Sequence, residues 1–188
     1  MLLGELGYAL RKIISHRKAL ALWKKDPKRS VLRLVDLDPF DLHQSGIRVC
    51  VLDFDGVLAS HGELEPLPEV KAWILEAIGV FGAPQIFILS NNPKTEREIF
   101  FRKHFGGIHF ITPKHKKPHP QGLQEILKQT KVSAAQVLLI DDRLWTGMLS
   151  TVLAGVRGIW VKHPYQDFSK RPLQESFFFL LRFCEKTF

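Results

Sequence analysis

Short apolar runs alternate with amphipathic segments from residue 47 to residue 161, and this rhythm predicts a repeat of strands and helices. Short, mainly apolar runs predict buried strands at 47–54, 85–89, 137–140 and 158–161, and a weaker strand at 107–111. Apolar residues at helical spacing predict helices at 69–80, 95–104, 121–129 and 146–154, and Ser133 to Gln136 predicts a capped turn. We therefore expect an α/β fold: a mainly parallel sheet between two helical layers, a Rossmann-like three-layer sandwich.

Residues 1–29 form a basic segment ahead of this repeat. Its apolar positions recur at helical spacing: Leu3, Leu6, Leu10, Ile13 and Leu20. Most of its basic side chains lie elsewhere around the predicted helix: Arg11, Lys12, Lys18, Lys24 and Lys25. Asp26-Pro27 should end the helix. This basic amphipathic helix is expected either to pack on a domain of residues 30–188 or to contact a membrane surface.

The composition limits the choice of partners and compartment. A length of 188 residues suits one domain, and a formal charge of +8 favours phosphorylated molecules, nucleic acid or anionic lipid. Cys50 and Cys184 lie in apolar runs, which predicts buried, reduced thiols. No apolar run is long enough to span a bilayer, and basic residues interrupt the N-terminal segment where a secretory signal would be apolar. We expect a cytoplasmic protein, with peripheral contact at the inner membrane face left open.

Two carboxylates follow the first predicted strand, in Asp53-Phe54-Asp55-Gly56. A carboxylate can attack phosphorus when a metal ion binds a phosphoryl oxygen, so Asp53 is the candidate nucleophile. Asp55 could protonate the leaving oxygen and then activate the water that hydrolyses the aspartyl-phosphate. Gly56 permits a tight turn after the strand. The alternative is a turn or helix cap made by acids and glycine.

A second group of residues could bind the phosphate. Ser90 and Asn91 follow the apolar strand at 85–89, where a hydroxyl and backbone N–H groups can hold phosphoryl oxygens. Lys117, fixed by the following proline at the start of a predicted helix, could neutralise phosphate and Asp53. The alternatives are a helix cap at Ser90 and a solvated lysine at 117.

Adjacent acids end the strand at 137–140. Burying Asp141 and Asp142 is costly unless a cation or hydrogen bonds satisfy them. Mg²⁺ prefers oxygen ligands, and Asp53, the backbone carbonyl of Asp55, and Asp142 would suit it, with Asp141 as a further candidate. Because parallel strands carry their carboxyl ends to one edge of the sheet, these distant residues should converge there.

In the order Asp-x-Asp-Gly, Ser, Lys-Pro, Asp-Asp, these motifs resemble the haloacid dehalogenase (HAD) superfamily of phosphohydrolases over about residues 35–165. The resemblance implies Asp53 as nucleophile, Asp55 as acid/base, Ser90 and Lys117 as phosphate-binding groups, Asp142 as metal ligand, and Mg²⁺ as cofactor. Neither the interval from Asp55 to Ser90 nor that from Ser90 to Lys117 has room for a folded cap domain. A site without a cap favours a bulky substrate.

Local stretches resemble the capless YqeG-like subfamily, which is similar to phosphatidylglycerophosphate phosphatases. They are 34–39, Leu42, 88–92, Lys117-Pro118, 140–146, and Phe177-Phe178-Phe179 with Arg182. The chain departs from that pattern: Gly56 and Val57 replace Asn and Thr, and Gly147 replaces a second acid of the fourth motif. Asp141 could compensate for the acid missing at 147.

Three functions follow as hypotheses. The first is a Mg²⁺-dependent phosphatase of a bulky or membrane-presented phosphomonoester such as phosphatidylglycerophosphate. The second is a phosphatase acting on nucleic-acid ends or on proteins, which the basic cluster at 114–117 permits. The third is a binding protein on a HAD scaffold that has lost catalysis, and the glycine at 147 is the main reason to keep it.

Overall fold

The computed structural model describes residues 2–187, with side chains from residue 4 onward. One sheet contains β1 (Ser30–Val31), β2 (Val49–Leu52), β3 (Ile86–Leu89), β4 (His109–Ile111), β5 (Val137–Asp141) and β6 (Arg157–Val161). Its strand order is β1-β6-β5-β2-β3-β4, and every neighbouring pair is parallel. The predicted α/β fold with a mainly parallel sheet is confirmed.

The helices are α1 (Leu2–Lys25), α2 (Pro39–Gln44), α3 (Pro68–Phe81), α4 (Thr95–His104), α5 (Gln121–Thr130), α6 (Leu149–Ala154) and α7 (Pro172–Thr187). The predicted bounds of α3, α4 and α5 hold to within one residue. The helix predicted at 146–154 starts differently, because residues 144–148 form a π-helical turn ahead of α6. The capped turn predicted at Ser133 is present as a 3₁₀ turn with a capping box to Gln136.

Alternate residues of the central strands supply the two layers of core. Cys50, Leu52, Ile86, Ile88, Leu138 and Ile140 pack against Val70, Trp73 and Ile74 of α3. Their sequence neighbours Val49, Val51, Phe87, Leu89 and Leu139 pack against Leu123 and Ile126 of α5. Successive strand side chains point to opposite faces, so a continuous apolar run is what a strand covered on both sides requires.

The two halves of α1 have different surroundings. Ile13, Leu20 and Trp23 are buried against Met148, Leu149 and Trp160, and the Trp23 indole N–H donates to the Gly158 carbonyl at 3.1 Å. Leu6 and Leu10, predicted on the same apolar face, are exposed. The helix departs from helical geometry at His16 and ends at Lys25, just before Asp26-Pro27 as predicted. The side chain of Leu3, and residue 188 of the predicted domain, lie outside the described residues.

Little chain separates the strands that carry the candidate residues. A loop and α3 connect β2 to β3, and α4 connects β3 to β4, so residues 2–187 contain no separate cap domain. Among these residues, no helix combines the length and the apolar character that crossing a bilayer requires. Both cysteines are free thiols; Cys50 is buried, and Cys184 is only half-buried.

Candidate active site

The candidate residues meet at the carboxyl ends of three neighbouring strands. Asp53 follows β2, the central one, which lies between β5 and β3. Asp141 ends β5, and Ser90 follows β3. A pocket of about 540 Å³ opens there, and six of the predicted residues line it: Asp53, Asp55, Ser90, Asn91, Lys117 and Asp142. Asp141 lies directly beneath them, fully buried.

Lys117 joins two of the buried acids. Its Nζ lies 2.9 Å from Asp53 Oδ1 and 2.5 Å from Asp141 Oδ2. Burial alone would lower the pKa of Lys117, but Asp141 and Asp53 outweigh it, so the pKa lies above its ordinary value. Lys117 is therefore a fixed cation, and the alternative of a solvated lysine is wrong, since this side chain is buried.

Three carboxylates form a candidate cation site. One oxygen each of Asp53, Asp141 and Asp142 lies within 4.8 Å of the others, and all three residues are buried. Burial raises the pKa of Asp53 to about 8; Lys117 opposes the rise, and the neighbouring acids add to it. Burial also raises the pKa of Asp142, against the effect of Arg182. Burial, with repulsion from the neighbouring acids, thus disfavours the ionised carboxylates, and a bound cation would offset both effects.

Gly147 is the position where the resembled subfamily carries a second acid. A β-carbon built on Gly147 would overlap the side chain of Asp141. Asp141 itself is held by Lys117 and by the backbone N–H of Arg143, at 2.9 Å from Oδ1. The carboxylate of Asp141 thus occupies space that a side chain at 147 would need. Although residue 147 is not an acid, the cluster still contains three carboxylates: those of Asp53, Asp141 and Asp142.

Asp55 is positioned by a cation that the sequence analysis missed. Arg97 on α4 donates from Nη2 to Oδ1 at 2.6 Å and from Nη1 to Oδ2 at 3.1 Å. The same guanidinium donates to the carbonyls of Glu63 and Asn92 and stacks 3.7 Å from the Phe54 ring centroid. Both carboxylate oxygens of Asp55 are thus paired with Arg97, and Asp55 is not part of the Asp53–Asp141–Asp142 cluster, so its backbone carbonyl is the candidate ligand.

The side chain of Asn91, expected to bind phosphate, instead contacts the backbone of Lys117. Its side-chain amide donates to the Lys117 carbonyl at 3.0 Å and accepts from the Lys117 N–H at 2.8 Å. Both halves of the amide are therefore engaged with the backbone of Lys117. Ser90 Oγ accepts from the Asn92 N–H at 3.1 Å and keeps its hydroxyl proton for a ligand. Lys117 precedes α5, which begins at Gln121 as predicted.

Helix α7 closes one side of the site through three buried charged residues. Arg182 Nε donates to Asp142 Oδ2 at 2.6 Å, and Glu185 pairs with Arg143 at 2.7 Å. Glu175, fully buried, accepts from the His61 N–H and lies 3.1 Å from His61 Nδ1. His61 lines the pocket and stacks on Phe178, with ring centroids 4.1 Å apart. Arg182 and Glu185 follow Glu175 by seven and ten residues, which places the three charged side chains on one face of the helix. This spacing was the sequence signal that could have identified them.

A family model described as haloacid dehalogenase-like hydrolase matches residues 22–155. No significant relative was found among curated proteins. One solved structure superposes with a TM-score of 0.53 at 13% sequence identity; the match covers 75% of this chain and 82% of that protein's chain. An uncharacterised protein from Listeria monocytogenes serotype 4b gives 0.50 at 14% identity, covering 68% and 86%.

YfnB from Bacillus subtilis, described as a HAD-hydrolase and solved bound to magnesium, gives a TM-score of 0.44 at 16% identity. That match covers 55% of this chain and 50% of YfnB. At these identities the first two similarities show a shared fold only. The YfnB similarity is weaker still and carries no conclusion about this chain.

Proposed function

Because this chain belongs to the haloacid dehalogenase-like hydrolase family, we propose that it hydrolyses phosphomonoesters through an aspartyl-phosphate on Asp53. The observation that carries this proposal is the open pocket in which Asp53 lies between the fixed cation Lys117 and two further buried acids. We further propose a bulky, membrane-presented substrate, of which phosphatidylglycerophosphate is an example.

Mg²⁺ fits the residues that are present. Asp53, Asp141 and Asp142 offer the hard oxygen ligands that Mg²⁺ prefers, and three buried carboxylates close to one another favour a cation between them. When bound, Mg²⁺ polarises the phosphoryl group and reduces its repulsion from Asp53. The retained acids and Lys117 argue against a catalytically inactive scaffold.

The residues of the chain divide the reaction into two steps. Asp53 forms a bond to phosphorus while the bond to the leaving oxygen breaks, and Asp55 gives that oxygen a proton. Asp55 then removes a proton from the water that attacks the aspartyl-phosphate; the bond from Asp53 to phosphorus breaks, which frees Asp53 and releases inorganic phosphate. Arg97 fixes the position of the Asp55 carboxyl at the pocket wall, and Ser90 and Lys117 hold the phosphoryl oxygens.

Asn91→Asp is expected to lower kcat/KM by roughly 10-fold to 100-fold, because it replaces the N–H donor to the Lys117 carbonyl with an oxygen and shifts Lys117. Steady-state hydrolysis of p-nitrophenyl phosphate measures the effect. Asn92→Asp is the matched control: it adds the same charge to the same pocket, where the hydrogen bonds of Asn92 are made by its backbone. Equal losses in both variants would reject the positioning role.

The membrane part of the proposal rests on the orientation of α7. Its charged residues Glu175, Arg182 and Glu185 are buried, whereas its exposed residues include Leu173, Phe177, Phe179, Leu180 and Phe183. A helix that buries charge and exposes aromatic rings leaves an apolar surface that favours contact with another apolar phase. The same helix lines the catalytic pocket through Gln174, Phe178 and Leu181, so this surface borders the pocket mouth.

The first half of α1 borders the same opening from another side. Tyr8 and Ala9 line a mainly apolar groove of about 570 Å³ that shares Asn91, Lys117 and Thr146 with the catalytic pocket. Exposed Leu6, Leu10 and Ile14 accompany exposed Arg11, Arg17 and Lys18. Apolar side chains beside basic ones are typical of helices that lie on anionic membranes. A phosphate carried on a lipid could thus reach Asp53 from the bilayer surface.

Phe177→Ser with Leu180→Ser is expected to reduce hydrolysis of phosphatidylglycerophosphate in anionic vesicles by about tenfold or more, since two exposed apolar side chains are lost. Hydrolysis of soluble p-nitrophenyl phosphate should stay unchanged. Leu75→Ser with Ile99→Ser is the matched control, because all four side chains are 57–59% exposed. Release of inorganic phosphate, with Mg²⁺ present and Asp53→Asn as blank, measures both reactions.

Three results would redirect the proposal. Preference for 5′-phosphorylated oligonucleotides or phosphopeptides over the lipid would replace the substrate class. Equal losses in the α7 variant and its control would remove the membrane surface. Equal inactivity of wild type and Asp53→Asn on every substrate would favour the binding-protein hypothesis.

A further inference from the structure

A cavity of about 280 Å³ lies between the C-terminal half of α7 and the loop that follows β6. Its lining includes Lys162, Gln166, Arg182 and Lys186, together with the rings of Phe179 and Phe183. The catalytic pocket is lined by none of these six residues. Arg182 is the link between the two, because its Nε is hydrogen-bonded to Asp142.

The walls of this cavity are held by contacts on both sides. The backbone N–H groups of Lys162 and His163 donate to the carbonyls of Val31 and Leu32, each at 2.9 Å, which fixes the loop to β1 and the residue after it. On the other wall, α7 is held by the buried pairs of Arg182 with Asp142 and Glu185 with Arg143. The arrangement of the lining groups is therefore formed in advance of any ligand.

Two lining residues carry buried donors without acceptors. Nη1 of Arg182 and Nε2 of Gln166 have no hydrogen-bond partner among the described residues, and the Arg182 residue is only 6% exposed. The other two nitrogens of Arg182 are taken by Asp142: Nε and Nη2 lie 2.6 Å and 2.5 Å from its Oδ2. Leaving buried donors unsatisfied is costly, and two such residues at one cavity indicate a missing acceptor.

The charge of the lining identifies the kind of acceptor. Lys162 and Lys186 add two ammonium groups; Lys162 Nζ lies 5.9 Å from the Trp160 ring centroid. Within the described part of the chain, neither lysine is in an ion pair, and no acidic side chain is among the cavity's lining residues. A cavity with three cations, an amide donor and no carboxylate favours an anion with several acceptor oxygens.

We propose that this cavity is a second anion site, which binds a phosphate group between Arg182, Gln166, Lys162 and Lys186. The phosphate oxygens accept from Arg182 Nη1 and from Gln166 Nε2, while Arg182 Nε and Nη2 stay on Asp142. The exposed rings of Phe179 and Phe183 at the rim suit a phosphate carried on a lipid headgroup, and free inorganic phosphate offers the same oxygens. The site does not depend on the hydrolysis proposed above.

Calorimetric titration with inorganic phosphate tests the proposal through Lys162→Gln with Lys186→Gln. Wild type should bind two phosphates, one in the catalytic pocket and one in the cavity. The double variant should lose one of them or bind it about tenfold or more weakly. Lys103→Gln with Lys128→Gln removes the same charge from exposed positions on α4 and α5 and should bind as wild type does.

Vesicle co-sedimentation separates the two sources of phosphate. If lipid headgroups are the ligand, the double variant should bind phosphatidylglycerol vesicles more weakly than its control; if free phosphate is the ligand, only the titration should differ. A Lys117→Met variant identifies the site that is lost. The proposal is overturned if wild type binds a single phosphate that Lys117→Met abolishes, or if the double variant and its control bind alike in both assays.

Discussion

Asp53→Asn is expected to lower phosphomonoester hydrolysis by roughly 10³-fold or more, because an amide cannot form the aspartyl-phosphate. The substitution keeps the size of the side chain, and Lys117 keeps its pair with Asp141. The fold should therefore persist. Single-turnover assays with Mg²⁺ measure the loss, and Asp41→Asn on the exposed face of α2 should be as active as wild type.

The same variant separates the role of Asp53 in stability from its role in chemistry. Burial raises the pKa of Asp53 from 3.8 to about 8, so the folded state holds a proton that the unfolded state releases between these values. Metal-free wild type should lose stability as the pH rises through that window, by on the order of a few kcal/mol. Asp53→Asn cannot ionise there.

Thermal unfolding in EDTA from about pH 5 to about pH 8 measures this difference. The Tm of wild type should fall relative to that of Asp53→Asn as the pH rises, and added Mg²⁺ should reverse the fall. Parallel Tm curves for the two proteins would contradict the buried, proton-holding state of Asp53. An active Asp53→Asn would instead contradict its role as nucleophile.

The strands and the convergence of the acids could be predicted from the sequence for one physical reason. A strand covered by helices on both faces needs an unbroken apolar run, and β2, β3 and β5 have one. Parallel strands then bring the residues that follow them to one edge. The two-residue β1 and the six-residue α2 have too few positions to display a period, and they were not predicted.

The cations around the acids could not be predicted in the same way. Arg97 lies 42 residues from Asp55, and Arg182 lies 40 residues from Asp142, so no local spacing links the partners. Arg97 sits among charged residues that resemble any solvated helix face. In α7, ranking by hydrophobicity would bury the phenylalanines, whereas the structure buries Glu175, Arg182 and Glu185, because the site supplies partners for their charges.

The position of Asp141 predicts the second large effect. Gly147→Asp should abolish activity and destabilise the protein by about 3 kcal/mol or more, because its β-carbon overlaps Asp141 and it adds a buried charge. Asp141→Gly alone should weaken Mg²⁺ binding, since it leaves Lys117 with one acid partner and the cluster with two carboxylates. Thermal unfolding and calorimetric titration with Mg²⁺ measure these effects.

Combining the two substitutions should recover what each one loses. In Asp141→Gly with Gly147→Asp, the carboxylate at 147 enters the space that Asp141 leaves, so three acids again surround the cation site. We expect kcat to return to within about tenfold of wild type, a strong positive coupling in the double-mutant cycle. A folded double variant that binds Mg²⁺ no better than Asp141→Gly would show that the two positions do not share one carboxylate site. Recovery would instead establish that either position can supply the third acid. Residue 141 at the end of β5 and residue 147 in the π-helical turn would then place a carboxylate in the same space.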